Sequence, residues 1–205
     1  MANFNDEYLT INKPSEGLFK DRGSKFLAFA FPVSSEEEIK AIQEQLRNKY
    51  HDARHHCYAY MLGPEKKNFR ANDDGEPSST AGKPILGQIR SFNLTNILIV
   101  VIRYFGGTKL GVGGLINAYK TAAEEALKNA KIVKKILHDI YELRFDYPQM
   151  NEIMRIMKEE NIEQIDQHFE LSCSITLALR KEEADKVLSK FDRVENLKIE
   201  FIETR

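Results

Sequence analysis

The chain of 205 residues is 42% hydrophobic and 30% charged, with a formal net charge of −1, the composition of a folded globular protein and not of a disordered one. Its longest apolar stretch, Ile97–Ile102, is far short of the roughly 20 residues a bilayer span requires. Met1–Pro14 lacks both a basic segment leading an apolar run and a small-residue cleavage site, so no secretory signal or membrane contact is expected and the location is expected to be cytoplasmic.

The length suits two domains, expected at residues 1–134 and 135–205. The first carries 19 Lys+Arg against 15 Asp+Glu and the second 11 against 16, an asymmetry that favours an anionic partner for the first. Cys57 and Cys173 are the only cysteines and each sits in an apolar run, as free buried thiols do.

In chain order, Ser24–Val33 reads as a strand. Ser34-Ser35 followed by Glu36-Glu37-Glu38 starts a helix that runs to about Tyr50, with a hydroxyl cap and acids in the first turn. His55–Leu62 alternates, with Cys57, Ala59 and Met61 on one side and His56, Tyr58 and Tyr60 on the other, which predicts a half-exposed strand. Asn68–Lys83 is poor in apolar residues and predicts a long loop. A short helix over Pro84–Phe92, a buried strand over Asn96–Tyr104, a loop over Phe105–Gly114 and an alanine-rich amphipathic helix over Leu115–Ala130 complete the first domain. Ile132–Val133 and Ile136–Phe145 read as a strand and connector, after which a strand near Ile140–Asp146, a helix over Pro148–Glu160, strands over Ile162–His168 and Glu170–Ala178, a helix over Lys181–Phe191 and a strand over Leu197–Ile202 give the order βαββαβ. That order predicts a ferredoxin-like second domain, a four-stranded antiparallel sheet with helices on one face, and an α+β class overall.

Two constellations carry the chemistry. In the first, Asp73, Asp74, Glu76, Ser78, Ser79 and Thr80 place three carboxylates and three hydroxyls within eight residues. Such a set could ligate a hard cation, act as an acid/base pair, serve surface recognition, or satisfy backbone amides and cap the next helix. In the second, Arg103-Tyr104-Phe105 leads into Gly106, Gly107, Gly111, Gly113 and Gly114, five glycines in nine residues, with Lys109 among them. Glycines before a helix let a phosphate approach backbone amides, and they equally permit tight packing of helix on sheet. Neither a Walker loop nor a Gly-x-Gly-x-x-Gly dinucleotide pattern is present. Arg70 and Lys83, with Arg103 and Lys109, are candidate phosphate contacts, and Tyr104 or Phe105 a stacking platform. His55 and His56 fall on opposite strand faces and are not a joint metal chelate.

His56-Cys57-Tyr58-Ala59-Tyr60, Asp73-Asp74-Gly75-Glu76-Pro77 with Thr80-Ala81-Gly82, and Arg103-Tyr104-Phe105-Gly106-Gly107 with Leu110-Gly111 and Gly113-Gly114-Leu115 together resemble a bacterial member of the IMPACT family. The resemblance implies a ribosomal-protein-S5 domain-2-like first domain and a second domain similar to one of elongation factor G. It also marks His56, Asp73, Asp74, Glu76, Ser78 and Thr80 as the residues of the family's motif loop. Eukaryotic relatives regulate translation by competing for the activator of an initiation-factor kinase, and for bacterial relatives the link is to RNA or the ribosome. Asn117 stands where bacterial members often carry Arg, which removes one candidate phosphate contact. The expected function is therefore a non-catalytic RNA- or ribosome-associated protein acting in translation, with no cofactor and no metal. Two alternatives are an enzyme or binder of a phosphorylated small molecule working through the glycine-rich loop, and a protein-interaction module.

Overall fold

The computed structural model describes residues 6–169 and 173–205. The chain divides into two compact units, Tyr8–Lys135 and Ile136–Arg205, with Asp6 and Glu7 belonging to the second.

The first unit contains β1 (Glu7–Ile11), β2 (Ser15–Asp21), β3 (Ser24–Pro32), α1 (Glu36–Lys49), β4 (His55–Leu62), β5 (Asn68–Asn72), α2 (Gly82–Ser91), β6 (Ile97–Tyr104), α3 (Gly111–Lys128) and β7 (Ile132–Ile136). Five strands make an antiparallel sheet in the order β2-β3-β6-β4-β5, and β1 pairs with β7 in a separate two-stranded sheet. The central strand β6 is apolar at successive positions because both of its faces are covered. On one face, Phe26, Ala28, Cys57, Ala59, Ile99 and Val101 pack against α2 and α3. On the other, Phe29, Tyr60, Leu98, Val100 and Ile102 meet Ile39 and Leu46 of α1.

Helix α1 starts where the cap residues require. Ser35 Oγ accepts the Glu38 amide at 3.3 Å, and the Glu38 carboxylate accepts the Ser34 amide at 2.7 Å, so two otherwise unpaired donors are satisfied. This helix also corrects the expected half-exposed strand: β4 alternates as predicted, but its Tyr60 and Leu62 are covered by the α1 layer. The expected loop over residues 68–83 is shorter, because Asn68–Asn72 forms edge strand β5 against β4. Strand β2 was not foreseen, since Ser-Glu-Gly-Leu-Phe-Lys-Asp has no β-branched residue. Its Gly17 explains its place: a Cβ there would lie 2.3 Å from the Ala126 nitrogen, so glycine lets β2 lie directly against the small-residue face of α3.

The second unit contains β8 (His138–Phe145), a 3-10 turn at Tyr147–Gln149, α4 (Met150–Glu159), β9 (Glu163–Phe169), β10 (Cys173–Arg180), α5 (Ala184–Leu188) and β11 (Lys198–Thr204). Its strands lie in the order β11-β8-β10-β9, each neighbour antiparallel. The first residues of the strand expected at Glu170 lie outside those described. The last helix is shorter than expected and closes in a 3-10 turn at Ser189–Phe191. Leu143, Phe145, Ile175 and Leu177 of the sheet pack with Ile153, Met157 and Phe191. Asp6, with no exposed surface, accepts Arg180 Nε at 2.7 Å. That hydrogen bond holds its carboxyl below the ordinary carboxylate range. Cys57 and Cys173 are buried and free.

Replacing Gly17 by alanine is expected to destabilise the protein by about 1–3 kcal/mol, the usual cost of overpacking, seen as a lower urea midpoint with unchanged m-value.

Candidate functional site

The loop between β5 and α2 is ordered by its own carboxylates. Ala81, at the N-cap of α2, has no side chain able to cap. Asp73 takes that role, accepting the amides of Ser79 at 2.7 Å, Ala81 at 2.9 Å and Gly82 at 2.8 Å. Burial alone would raise its pKa, but these three donors outweigh it and hold the carboxyl below the ordinary range. The loop turns through left-handed conformations at Asp74 (φ 42°), Gly75 (φ 84°) and Ser79 (φ 67°). Asp74 sustains its strained position by accepting the His56 amide at 2.6 Å and Arg47 at 2.9 Å, while its carbonyl accepts His55 Nδ1–H at 2.8 Å. Thr80 Oγ1 donates to the Pro77 carbonyl at 2.6 Å.

Glu76 turns inward. One of its oxygens accepts both Arg103 at 2.6 Å and the Tyr119 hydroxyl at 2.8 Å, with the Glu76 and Arg103 side chains only 4% and 9% exposed. Beneath them Cys57 donates its thiol proton to the Asp73 carbonyl at 3.0 Å, and its sulfur lies 3.3 Å from the Tyr119 oxygen. Burial pushes both the Tyr119 hydroxyl and the Cys57 thiol far above their usual values, so both stay protonated at neutral pH. The three acids Asp73, Asp74 and Glu76 therefore face three separate sets of protein donors and do not converge as ligands of one cation.

Above Glu76 opens a cleft of about 800 Å³, lined by Asp52–His55, Glu76-Pro77, Arg103–Phe105 and Lys109–Val112 with Leu115. The guanidinium of Arg103 lies 5.5 Å from the centroid of the buried Phe26 ring and 5.6 Å from that of Phe105, which is 59% exposed. Arg103 Nε is buried without a hydrogen-bond partner. Tyr104 donates to Asp52 at 2.7 Å, and that hydrogen bond, with burial, pushes its hydroxyl pKa up to about 12. Among the described residues, Arg54 and Lys109 have no ion-pair partner.

The glycines divide between packing and access. A Cβ at Gly106 would meet the Gly23 carbonyl carbon at 2.0 Å, so this residue exists for close approach to the β2–β3 turn. Gly107 and Gly111 have φ of 87° and 73°, and nothing lies within 4 Å of a Cβ at either. Helix α3 begins at Gly111, so Gly113 and Gly114 belong to its first turn and not to the preceding loop as expected. Its N-cap, Leu110, offers no side-chain acceptor, which leaves the first-turn amides without a capping side chain.

The structure thus brings Arg103, Tyr104, Phe105, Lys109, Gly111 and Glu76 to one cleft. Arg70, on edge strand β5, and Lys83, in the first turn of α2, do not line it, nor do Gly106, Gly107, Gly113 and Gly114. His56, Asp73, Asp74 and Thr80 support the loop, and Ser78 is exposed on it. Sequence reasoning missed Arg54, which belongs to neither motif. It also missed Tyr119, which lies within the expected helix over Leu115–Ala130 and outside both motifs.

The Impact N-terminal domain model matches residues 22–127. The IMPACT family member YvyE of Bacillus subtilis is 36% identical over 74% of this chain and 70% of its own. The IMPACT family member YigZ of Escherichia coli is 36% identical over 65% of this chain and 67% of its own. A crystal structure of a hypothetical protein matches with a TM-score of 0.72 at 30% identity, covering 97% of this chain and 98% of that one.

Replacing Glu76 by alanine leaves Arg103 and Tyr119 without their acceptor, and a loss of about 3–5 kcal/mol in urea denaturation is expected, as for other broken buried pairs. A second expectation concerns His56, 5% exposed with both ring nitrogens unpartnered. Burial first, then the charge of Arg47, lowers its pKa against the opposing pull of Asp74. The unfolded chain therefore binds a proton that the folded chain refuses, and stability must fall as pH drops below the unfolded value of about 6.5. Urea midpoints between pH 7.5 and 5.5 should fall more steeply in the native protein than in His56→Gln.

Proposed function

The chain belongs to the IMPACT family, and from that premise we propose that it is a non-catalytic, cytoplasmic RNA-binding protein of the translation apparatus whose cleft receives the RNA backbone. The observation that carries this reading is the distribution of charge in the cleft. Glu76, the carboxylate at its floor, is neutralised by Arg103, and Asp52 at the rim is engaged by Tyr104. Among the described residues Lys109 and Arg54 make no ion pair, and they lie in the same cleft as the start of α3, whose N-cap makes no side-chain hydrogen bond. Lysine, arginine and helix N-terminal amides are the donors that phosphate selects.

The finer fold assignments belong to the same proposal. Strand order β11-β8-β10-β9 supports a ferredoxin-like, elongation-factor-like reading of the second unit. The α2–α3 layer on an antiparallel sheet supports the ribosomal-protein-S5 domain-2-like reading of the first. A second functional reading, a phosphorylated small molecule as ligand, draws on the cleft volume of about 800 Å³, within the range typical of such sites. Calorimetric titration of mononucleotides tests it, and heats saturating at micromolar concentration would favour it over RNA.

For the RNA reading, binding of labelled cellular RNA should weaken by orders of magnitude between about 50 and 200 mM salt. Lys109→Ala should lower the slope of log affinity against log salt by about one. An unchanged slope removes Lys109 from the interface, and no binding at either salt removes the proposal.

A further inference from the structure

The cleft joins two features that backbone recognition alone does not require. The first is an aromatic face. Phe105 presents a ring that is 59% exposed, although it sits at the end of the most buried strand of the sheet. Its ring is steadied from within by Arg103, whose guanidinium lies 5.6 Å from its centroid and also faces Phe26 at 5.5 Å. The guanidinium is itself held at 2.6 Å by Glu76, so the platform rests on a fixed base. The second is an apolar wall beside that ring, formed by Ala53, Leu110, Val112 and Leu115.

Resting on the RNA reading above, we propose that the cleft takes an unpaired nucleotide, its base stacked on Phe105 and its phosphate directed toward Lys109 and the first turn of α3. The ligand is then single-stranded RNA and not a duplex. In A-form duplex RNA the base faces are stacked on each other and unavailable, so recognition falls to shape, 2′-hydroxyls and phosphate. An exposed aromatic ring contributes nothing to that mode. Single strands, in contrast, are bound by combining cationic side chains along the backbone with aromatic platforms for the bases. The cleft's apolar wall of Ala53, Leu110, Val112 and Leu115 offers a dry surface for a flat base, while Arg54 and Lys109 supply the charge at its rim.

The chain contains no tryptophan, so Phe105→Trp introduces a single tryptophan, which can be excited selectively, at the proposed platform. Fluorescence anisotropy with a labelled single-stranded oligoribonucleotide and its duplex, at about 50 mM salt where phosphate contacts are strong, compares the native chain, Phe105→Ala and Phe105→Trp. The single strand is expected to bind more tightly than the duplex. Phe105→Ala should lose roughly 5- to 150-fold in affinity for it, the range for removing one stacking ring, whereas Phe105→Trp retains affinity and is quenched on addition of the single strand. Equal binding of duplex and single strand, or unchanged affinity in Phe105→Ala, overturns the stacking inference and leaves the backbone-binding reading intact. Failure of both RNAs to bind the native chain overturns that reading, and this inference with it.

Discussion

The contact between Glu76 and Arg103 is the constraint from which the site follows. It joins three stretches of chain that are distant in sequence: the acidic loop, the end of β6 and, through Tyr119, the middle of α3. Both charged groups are almost fully removed from water, so each is tolerable only with the other present. Tyr119 supplies a further donor to the same oxygen, and its burial keeps the proton on the phenol where the carboxylate needs it. The network closes on Cys57 in β4, which bonds back to the loop at the Asp73 carbonyl. A shift of the loop would therefore break contacts in the sheet and in the helix at once, and a loop with few apolar residues gains a unique position from polar bonds.

The rest of the acidic loop repeats this logic at its edges. Asp73 does for α2 what Ala81 cannot, and Asp74 ties the loop to α1 through Arg47 and to β4 through the His56 amide. These acids stabilise the left-handed turns at Asp74 and Ser79 by making each a hydrogen-bonding position, and the motif is a brace first. The glycine-rich stretch is more divided. Gly106 is required by the 2.0 Å approach a Cβ would make to the Gly23–Ser24 turn, whereas Gly107 and Gly111 face open space with left-handed backbone. Packing explains the first glycine, and conformation and access explain the other two.

Much of the fold was legible because its cause is local. The hydroxyl and acidic start of α1, the unbroken apolar run of β6 and the alternation of Cys57, Ala59 and Met61 each carry their own explanation. The order βαββαβ led directly to the four-stranded antiparallel sheet. Edge strands β2 and β5 were not legible, since Asn68–Asn72 holds asparagines and an arginine that no local preference places in a strand, and only pairing with β4 does so. The outer face of β4 read as solvent because Tyr58 and Tyr60 are amphipathic, and α1 covers it. Of the candidate site, the two motifs were visible but not their relation. That Glu76 of one would neutralise Arg103 of the other depends on a meeting of segments 27 residues apart, which no spacing rule reveals.

That neutralisation decides which charges remain for a ligand. Counted by residue type, the cleft holds the cations Arg54, Arg103 and Lys109 and the acids Asp52 and Glu76, an unremarkable near-balance like that of the whole chain. Counted by engagement, Glu76 is satisfied by two donors and Asp52 by one, while Arg54 and Lys109 have no acidic partner among the described residues. Exposed cations near the buried Glu76–Arg103 pair lose little to that pair, because the field of a closed ion pair falls off faster than that of a single charge, so Asp52 is left as the one acid of the cleft that opposes them. Arg103, the most conspicuous basic residue of the motif, thus serves the cleft chiefly by holding its floor and steadying Phe105. Under the RNA reading proposed above, the attraction of the phosphate falls to the plainer residues Arg54 and Lys109 at its rim.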